Sequence, residues 1–137
     1  MSYAGDITPE EAWRLLSTNP EAVLVDCRTD AEWRFVGVPD LTTLEREVVY
    51  VEWNRVDGSR NESFVDDLVA AGVTAGDRPV VFLCRSGNRS IGAAEAATAA
   101  GIAPSYNVLD GFEGHLDGRR HRGGTGWRAV GLPWKQS

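Results

Sequence analysis

One heptapeptide gathers the residue types that could do chemistry: Cys84-Arg85-Ser86-Gly87-Asn88-Arg89-Ser90. It follows an apolar run, Val80-Val81-Phe82-Leu83, and precedes an alanine-rich stretch from Ser90 to Ala100 that Gly101 ends. The predicted local order is strand, loop, helix. A cysteine in such a loop lies where free N–H groups and the helix dipole favour an anion. Gly87 lets the loop curl so that the amides of Ser86, Gly87, Asn88 and Ser90 converge on the sulfur. Arg85 and Arg89 add fixed positive charge. Ser90 is placed to cap the helix or to donate to the sulfur. Together these features favour a nucleophilic thiolate at Cys84. An inert buried cysteine is the alternative; two arginines and a glycine in the same short segment argue against it.

Composition narrows what such a nucleophile could serve. The chain has 137 residues, a one-domain length, with 42% hydrophobic and 25% charged residues, as in soluble globular proteins. Lys+Arg 14 against Asp+Glu 20 gives a net charge of −6, which speaks against nucleic acid or an anionic membrane as a partner. The charge is uneven. Residues 1–83 carry 7 Arg and 16 acids, a balance of −9, whereas residues 84–137 carry 6 Arg, one Lys and 4 acids, a balance of +3. The positive excess begins at the cysteine. No apolar run approaches the roughly 18 residues of a spanning helix, and the N-terminus lacks the pattern of a signal peptide. Two cysteines, Cys27 and Cys84, are too few for a disulfide framework or an all-thiolate zinc site, so a reducing cytoplasm is the expected location.

The elements that must position Cys84 can be read along the chain. Ile7 to Leu16 reads as a helix with Thr8 as N-cap, Pro9 at the first turn, and Ala12, Leu15 and Leu16 on one face. Ala22-Val23-Leu24-Val25 is a strand buried on both faces, ending at Asp26. Thr29 or Asp30 caps a brief helix through Phe35 that closes near Gly37. Val48 to Trp53 is a second strand. Asn61 to Ala71 reads as a helix with Phe64, Val65, Leu68 and Val69 inward. Val80–Leu83 and Tyr106–Leu109 complete the strands. Alternation of strands and helices predicts an α/β fold, a mostly parallel sheet with helices on both faces. Ligands then bind beyond the carboxyl ends of the strands. Asp26 and Cys84 each follow a buried strand and should share that edge. Trp13, Trp33, Trp53 and Trp127 are read as core, and Trp134 as a cover for an edge.

The loop from Cys84 to Ser90 resembles the active-site loop of single-domain members of the rhodanese (sulfurtransferase) family. Val23-Leu24-Val25-Asp26-Cys27-Arg28-Thr29-Asp30-Ala31-Glu32-Trp33 resembles that family's first motif. Asp110-Gly111-Phe112-Glu113-Gly114 and Gly126-Trp127-Arg128-Ala129-Val130-Gly131-Leu132-Pro133 resemble its closing motif, split here by a Gly- and Arg-rich insertion at 114–126. The resemblance covers nearly all of residues 1–137 and implies one rhodanese-like domain, a three-layer fold. It departs from the family at Phe35-Val36-Gly37-Val38-Pro39-Asp40, where a Gly-His-Ile pattern is common; the His is absent here.

The resemblance implies a persulfide mechanism. The Cys84 thiolate would take sulfane sulfur from a small anionic donor such as thiosulfate. Arg85, Arg89 and the amides from Ser86 to Ser90 would hold the anion, and a nucleophilic acceptor (cyanide, a thiol or a sulfur-acceptor protein) would collect the sulfur. No cofactor and no metal are implied. A cysteine phosphatase or arsenate reductase is the main competitor, but those loops have five residues between Cys and Arg, and this one has four. A non-catalytic partner-binding module is the third reading, against which the presence of Cys84 argues. Asp26 and Arg28 are expected to support the loop. Cys27 is read as an apolar filler, or else as a resolving thiol for Cys84. His115 and His121 are a weak metal signal, read as solvated loop. Arg119, Arg120 and Arg122 are also read as solvated, or else as steering an anionic donor or an acidic partner.

Overall fold

The computed structural model describes residues 2–136. Two buried four-residue strands form its centre: β2 (Val23–Asp26) and β5 (Val80–Leu83), with every residue of both inaccessible. Both faces of such strands call for apolar side chains, hence the Val/Leu/Phe runs, which only Asp26 at the end of β2 interrupts, paired with Arg28. Around them lie β1 (Gly5–Ile7), β4 (Val49–Tyr50) and β6 (Ser105–Val108), in the order β1-β6-β5-β2-β4. All pairings are parallel. β3 (Val38–Pro39) and β7 (Trp134–Lys135) form a separate antiparallel ribbon. The fold is therefore α/β with a parallel sheet, as the alternation of elements predicts.

Helices cover both faces. On one, α3 (Phe64–Ala70) and α4 (Arg89–Ala99) bury Phe64, Leu68, Ala93, Ala94 and Ala97 against Val25 and Phe82. The alanines of α4 let its backbone lie close to the sheet. Gly92 goes further, since a Cβ there would stand 2.9 Å from the Trp53 ring. On the other face, α1 (Pro9–Thr18) packs Ala12 and Leu16 with Leu24, Leu83, Phe112 and Trp127. α2 (Asp30–Phe35) buries none of its residues fully and lies at the carboxyl edge of the sheet.

The starts of α1 and α2 follow from their sequences. Thr8 accepts from the Glu11 amide at 3.1 Å while the Glu11 carboxylate accepts from the Thr8 amide at 2.9 Å. Thr29 and Glu32 make the same reciprocal pair, which settles Thr29 rather than Asp30 as the cap. Other expectations shift. The strand expected over 48–53 is regular only at Val49–Tyr50, because the chain turns into a local loop closed by the Asn54–Arg60 bridge. Val51 and Trp53 still donate to the carbonyls of Asp26 and Cys27, each at 3.2 Å. α3 begins at Phe64 rather than Asn61, whose side chain instead bonds Glu52, Ser63 and Asp67. Val69 is half exposed, not inward. Trp127 and Trp53 are core, Trp13 and Trp33 are only partly buried, and Trp134 covers Phe112 edge-to-face. Thr8→Ala removes the acceptor of the first capping box and should cost about 1 kcal/mol, read from the urea unfolding midpoint with an unchanged slope.

Candidate active site

β5 delivers Cys84 to the carboxyl edge. Its last residue, Leu83, pairs with Asp26, so the ends of β2 and β5 stand side by side. The Cys84 side chain is almost wholly buried. The Gly87 amide donates to its Sγ at 3.1 Å, and Ser90 Oγ lies 3.1 Å from the same sulfur. Ser90 belongs to the first turn of α4 and caps nothing; its hydroxyl donates to Asn107 Oδ1. Asn107 Nδ2 donates in turn to Asp6 at 3.0 Å and to the Gly87 carbonyl at 3.2 Å. A hydroxyl has one proton. With that proton on Asn107, Ser90 offers a lone pair to a Cys84 thiol; turned the other way, it donates to a thiolate.

Among the described residues, the Gly87 amide alone donates to the sulfur. Ser86 is half buried, and Asn88 is exposed as the N-cap of α4 without a side-chain capping bond. Gly87 takes φ +96°, and a Cβ there would meet the Asp110 amide at 3.1 Å. The loop is thus curled as expected, and the position requires glycine on both counts.

The arginines divide into different roles. Arg89 is forked onto Glu32 of α2, at 2.8 and 2.9 Å. The same carboxylate accepts from the Thr29 amide at 3.1 Å, so the cap of α2 and the start of α4 share one acid. Burial pushes the Glu32 carboxyl up, but the hydrogen bonds and charge of Arg89 outweigh it and hold it below the ordinary range. Burial likewise pulls the Arg89 guanidinium down, and Glu32 more than restores it. Arg89 therefore positions the loop, and its charge is already matched. Arg85 is exposed, and no hydrogen bond or ion pair to its side chain occurs among the described residues. It is the cation of the loop open to an anionic ligand.

Asp26 and Arg28 form a fully buried pair rather than a surface one. Arg28 Nη2 lies 2.7 Å from Asp26 Oδ2 and donates also to the Gly37 carbonyl at 2.8 Å. Its guanidinium carbon sits 4.3 Å from the centre of the Phe112 ring. This strut ties the end of β2 to the turn before β3 and to the closing motif. That turn works without the family's histidine: Gly37 takes φ +121°, and a Cβ on it would stand 2.9 Å from the Lys135 carbonyl.

The closing motif is the back wall of the loop. The amides of Phe112 and Glu113 donate to the carbonyls of Cys84 and Arg85, at 2.8 and 2.9 Å. Gly111 lies so close that a Cβ would run into the Cys84 carbonyl and come within 2.6 Å of Arg85. The second half of the motif returns through Trp127, whose amide donates to the Gly111 carbonyl at 2.8 Å. The intervening insertion loops outward. Asp117 accepts from the amides of Arg119 and His121, and Arg122 donates to the Gly114 carbonyl at 2.7 Å. Arg119 and Arg120 are exposed, and His115 pairs with Asp110 at 3.2 Å.

Cys27 is fully buried beside Cys84, and its Sγ donates to the Leu83 carbonyl at 3.3 Å. Burial first, then the neighbouring Cys84 and Asp26, pushes its thiol well above the ordinary range. Two residues of the site carry no sequence expectation as site residues. Asn107 shows only as a polar residue within the strand read over 106–109. Glu32 shows only as an acid in a first turn. A cleft of about 430 Å³ that does not include Cys84 is lined by Asp40, Arg46, Glu47 and Tyr50.

A parallel sheet whose central strand leads into a cysteine loop and then a helix is the arrangement of a rhodanese-like domain, and the comparisons with known proteins agree. The family model described as STR4 middle domain matches residues 4–137, and the chain belongs to that family. Among solved structures, Rv0390 from M. tuberculosis is 69% identical with a TM-score of 0.92, covering 98% of this chain and 99% of that one. An uncharacterized protein of Rickettsia conorii is 35% identical over 95% of this chain and 96% of its own length. The polysulfide-sulfur transferase of Wolinella succinogenes has a TM-score of 0.65 at 24% identity, over 99% of this chain and 80% of that one, a likeness of fold.

Two outcomes follow from this geometry. Gly111→Ala should destabilise the protein by more than 2 kcal/mol in urea unfolding, since φ +59° and the Cys84 carbonyl both oppose a side chain. Glu32 has a lowered pKa in the folded state, so its stabilising contribution is full above the unfolded value of about 4.3 and is lost as pH falls through the folded one. Unfolding midpoints measured from pH 7 down to 3 should therefore fall less steeply for Glu32→Gln than for the wild type, from a lower starting value.

Proposed function

We propose that this domain is a sulfurtransferase that carries sulfane sulfur on Cys84. The observation that supports it most is the sulfur's position, 3.1 Å from both the Gly87 amide and the Ser90 hydroxyl at the start of α4. Both groups can donate to a negative sulfur, and the dipole of an 11-residue helix adds to them.

The Cys84 thiolate attacks the outer sulfur of a donor such as thiosulfate. A bond forms between Sγ and that sulfur, the donor's S–S bond breaks, and sulfite leaves with the electron pair. The terminal sulfur of the persulfide is an anion, which the loop amides and Arg85 stabilise. A nucleophilic acceptor then attacks the terminal sulfur, and the Cys84 thiolate leaves. Cyanide, a small thiol and a sulfur-acceptor protein all have the required nucleophile. The cycle consists of two displacements, so ping-pong kinetics are expected. Thiolates leave readily, and neither step needs a general base or a metal. The exposed, unpaired Arg85 fits an anionic donor that must approach a sulfur lying below the surface. No helix among the described residues is long and apolar enough to cross a membrane.

Intact-protein mass spectrometry tests the reading. Thiosulfate should add one sulfur atom to the wild type, cyanide should remove it, and Cys84→Ser should gain none. Failure to gain sulfur together with turnover of an aryl phosphate would overturn it. Arg85→Ala should raise the KM for thiosulfate roughly tenfold and flatten its dependence on ionic strength, while leaving the fold intact by circular dichroism.

A further inference from the structure

The second cysteine occupies a position that the transfer cycle does not use. Leu83 pairs with Asp26 in the parallel ladder, and the Cys27 amide continues it by donating to the Leu83 carbonyl at 2.9 Å. Cys27 and Cys84 are therefore the next rung, on adjacent strands. Their side chains fall on the same face, in the same buried cluster as Val25 and Phe82 of the rung two residues earlier. The Cys27 sulfur lies against the peptide that leads into Cys84, 3.3 Å from the Leu83 oxygen. Neighbouring strands are ~4.8 Å apart, inside the ~4.4–6.8 Å Cα separation that a disulfide requires. Both thiols are free in this structure.

We propose that Cys27 is a resolving thiol that discharges the Cys84 persulfide internally, releasing hydrosulfide and leaving a Cys27–Cys84 disulfide. The inference rests on the persulfide reading of Cys84 and adds a second outcome for the same sulfur. The Cys27 thiol gives its proton to the terminal sulfur of the persulfide. The electron pair of the Cys27 sulfur forms a bond to Cys84 Sγ, the Sγ–S bond of the persulfide breaks, and hydrosulfide leaves with that pair. The leaving sulfur is reduced and the Cys27 sulfur is oxidised, so electrons balance without an external oxidant. A dithiol reductant then returns the pair to thiols by two exchanges, its own sulfurs becoming a disulfide.

Burial suits Cys27 to this role. Its sulfur has no amide or hydroxyl beside it and donates to the Leu83 carbonyl, so it lacks the groups that favour a thiolate at Cys84 and does not compete for the donor. Its thiol stays protonated in that setting until a basic sulfur anion forms beside it. The bond that forms closes a loop between β2 and β5, the two central strands, which already hold each other in register. The active-site thiolate and the resolving thiol thus differ by environment alone. One lies under a helix start with an amide and a hydroxyl on its sulfur; the other lies in the apolar core with only a backbone carbonyl.

The experiment loads the reduced, full-length protein with thiosulfate, removes the excess, and follows intact mass and free hydrosulfide with time. The wild type should gain one sulfur, then lose it to a species lighter than the reduced protein by two hydrogens, with one equivalent of hydrosulfide. A non-reducing digest should yield a peptide pair joined through Cys27 and Cys84. In Cys27→Val the persulfide should persist at least tenfold longer and release no hydrosulfide; Cys27→Ala provides the same comparison should Val fail to fold. The wild-type rate should not change on tenfold dilution, as an intramolecular step requires. A wild-type persulfide as long-lived as that of the variant, with no joined peptide, overturns this inference and leaves the sulfurtransferase reading standing. No gain of sulfur at all overturns both.

Discussion

The site depends on two backbone hydrogen bonds, from the amides of Phe112 and Glu113 to the carbonyls of Cys84 and Arg85. Where β5 stops, these carbonyls lose their sheet partners, and a buried orphan carbonyl costs more than a hydrogen bond contributes. The turn after β6 satisfies them, and it can come near enough only because Gly111 has no side chain. The rest of the arrangement follows. With Cys84 fixed at its backbone, Gly87 can fold its amide back onto the sulfur. The second half of the closing motif must then return to the same turn, through Trp127 to Gly111. The insertion between the halves is free to loop outward, since Gly114 and Gly126 meet at its base, where a Cβ on Gly126 would lie 2.7 Å from the Gly114 amide.

Charge is arranged around the same frame. The buried pair Asp26–Arg28 contributes little net stability by Coulomb attraction, since desolvating both groups offsets it. Its effect is geometric: one guanidinium reaches the end of β2, the Gly37 carbonyl and the Phe112 ring. Glu32 does the same on the surface side, joining the cap of α2 to Arg89 of α4. Two of the arginines that flank the edge are thus committed to carboxylates, and Arg85 retains an uncompensated charge beside the mouth. The +3 balance of residues 84–137 overstates the field at the sulfur, because it counts Arg89 without its partner on an earlier element.

Features written in local pattern were legible in the sequence. The buried strands show as unbroken apolar runs, the helix starts as Thr-x-x-Glu boxes, and the reactive loop as cysteine, glycine and arginine between a strand and a helix. What local pattern could not supply were partners distant in sequence. Local pattern offers Arg89 as fixed positive charge for an anion cradle, because its partner Glu32 is 57 residues away. Asn107 shows in the sequence only as a strand residue, since its partners Ser90, Gly87 and Asp6 are all distant. β1 has no signal in the sequence, since three residues beginning with glycine carry no periodicity and only the pairing of Gly5–Ile7 with β6 makes them a strand. Val69 shows the opposite failure: an apolar residue at helical spacing that the fold leaves half exposed.

The commitment of Arg89 to Glu32 bears on which ligand the loop fits. A tetrahedral oxyanion needs several converging donors, most effectively a guanidinium fork. That fork is occupied here by a carboxylate at 2.8 and 2.9 Å, and breaking it would leave Glu32 partly buried without its counter-ion. The loop also has one residue fewer between cysteine and arginine than the phosphatase pattern. A single sulfur asks for less. One added atom beyond Sγ carries one charge, and a turn of amides at a helix start with a single exposed cation can stabilise it. On the persulfide reading, the donors on Sγ serve the one transferred sulfur, Arg89 holds the loop in shape, and the oxyanion end of a donor such as thiosulfate is left to Arg85.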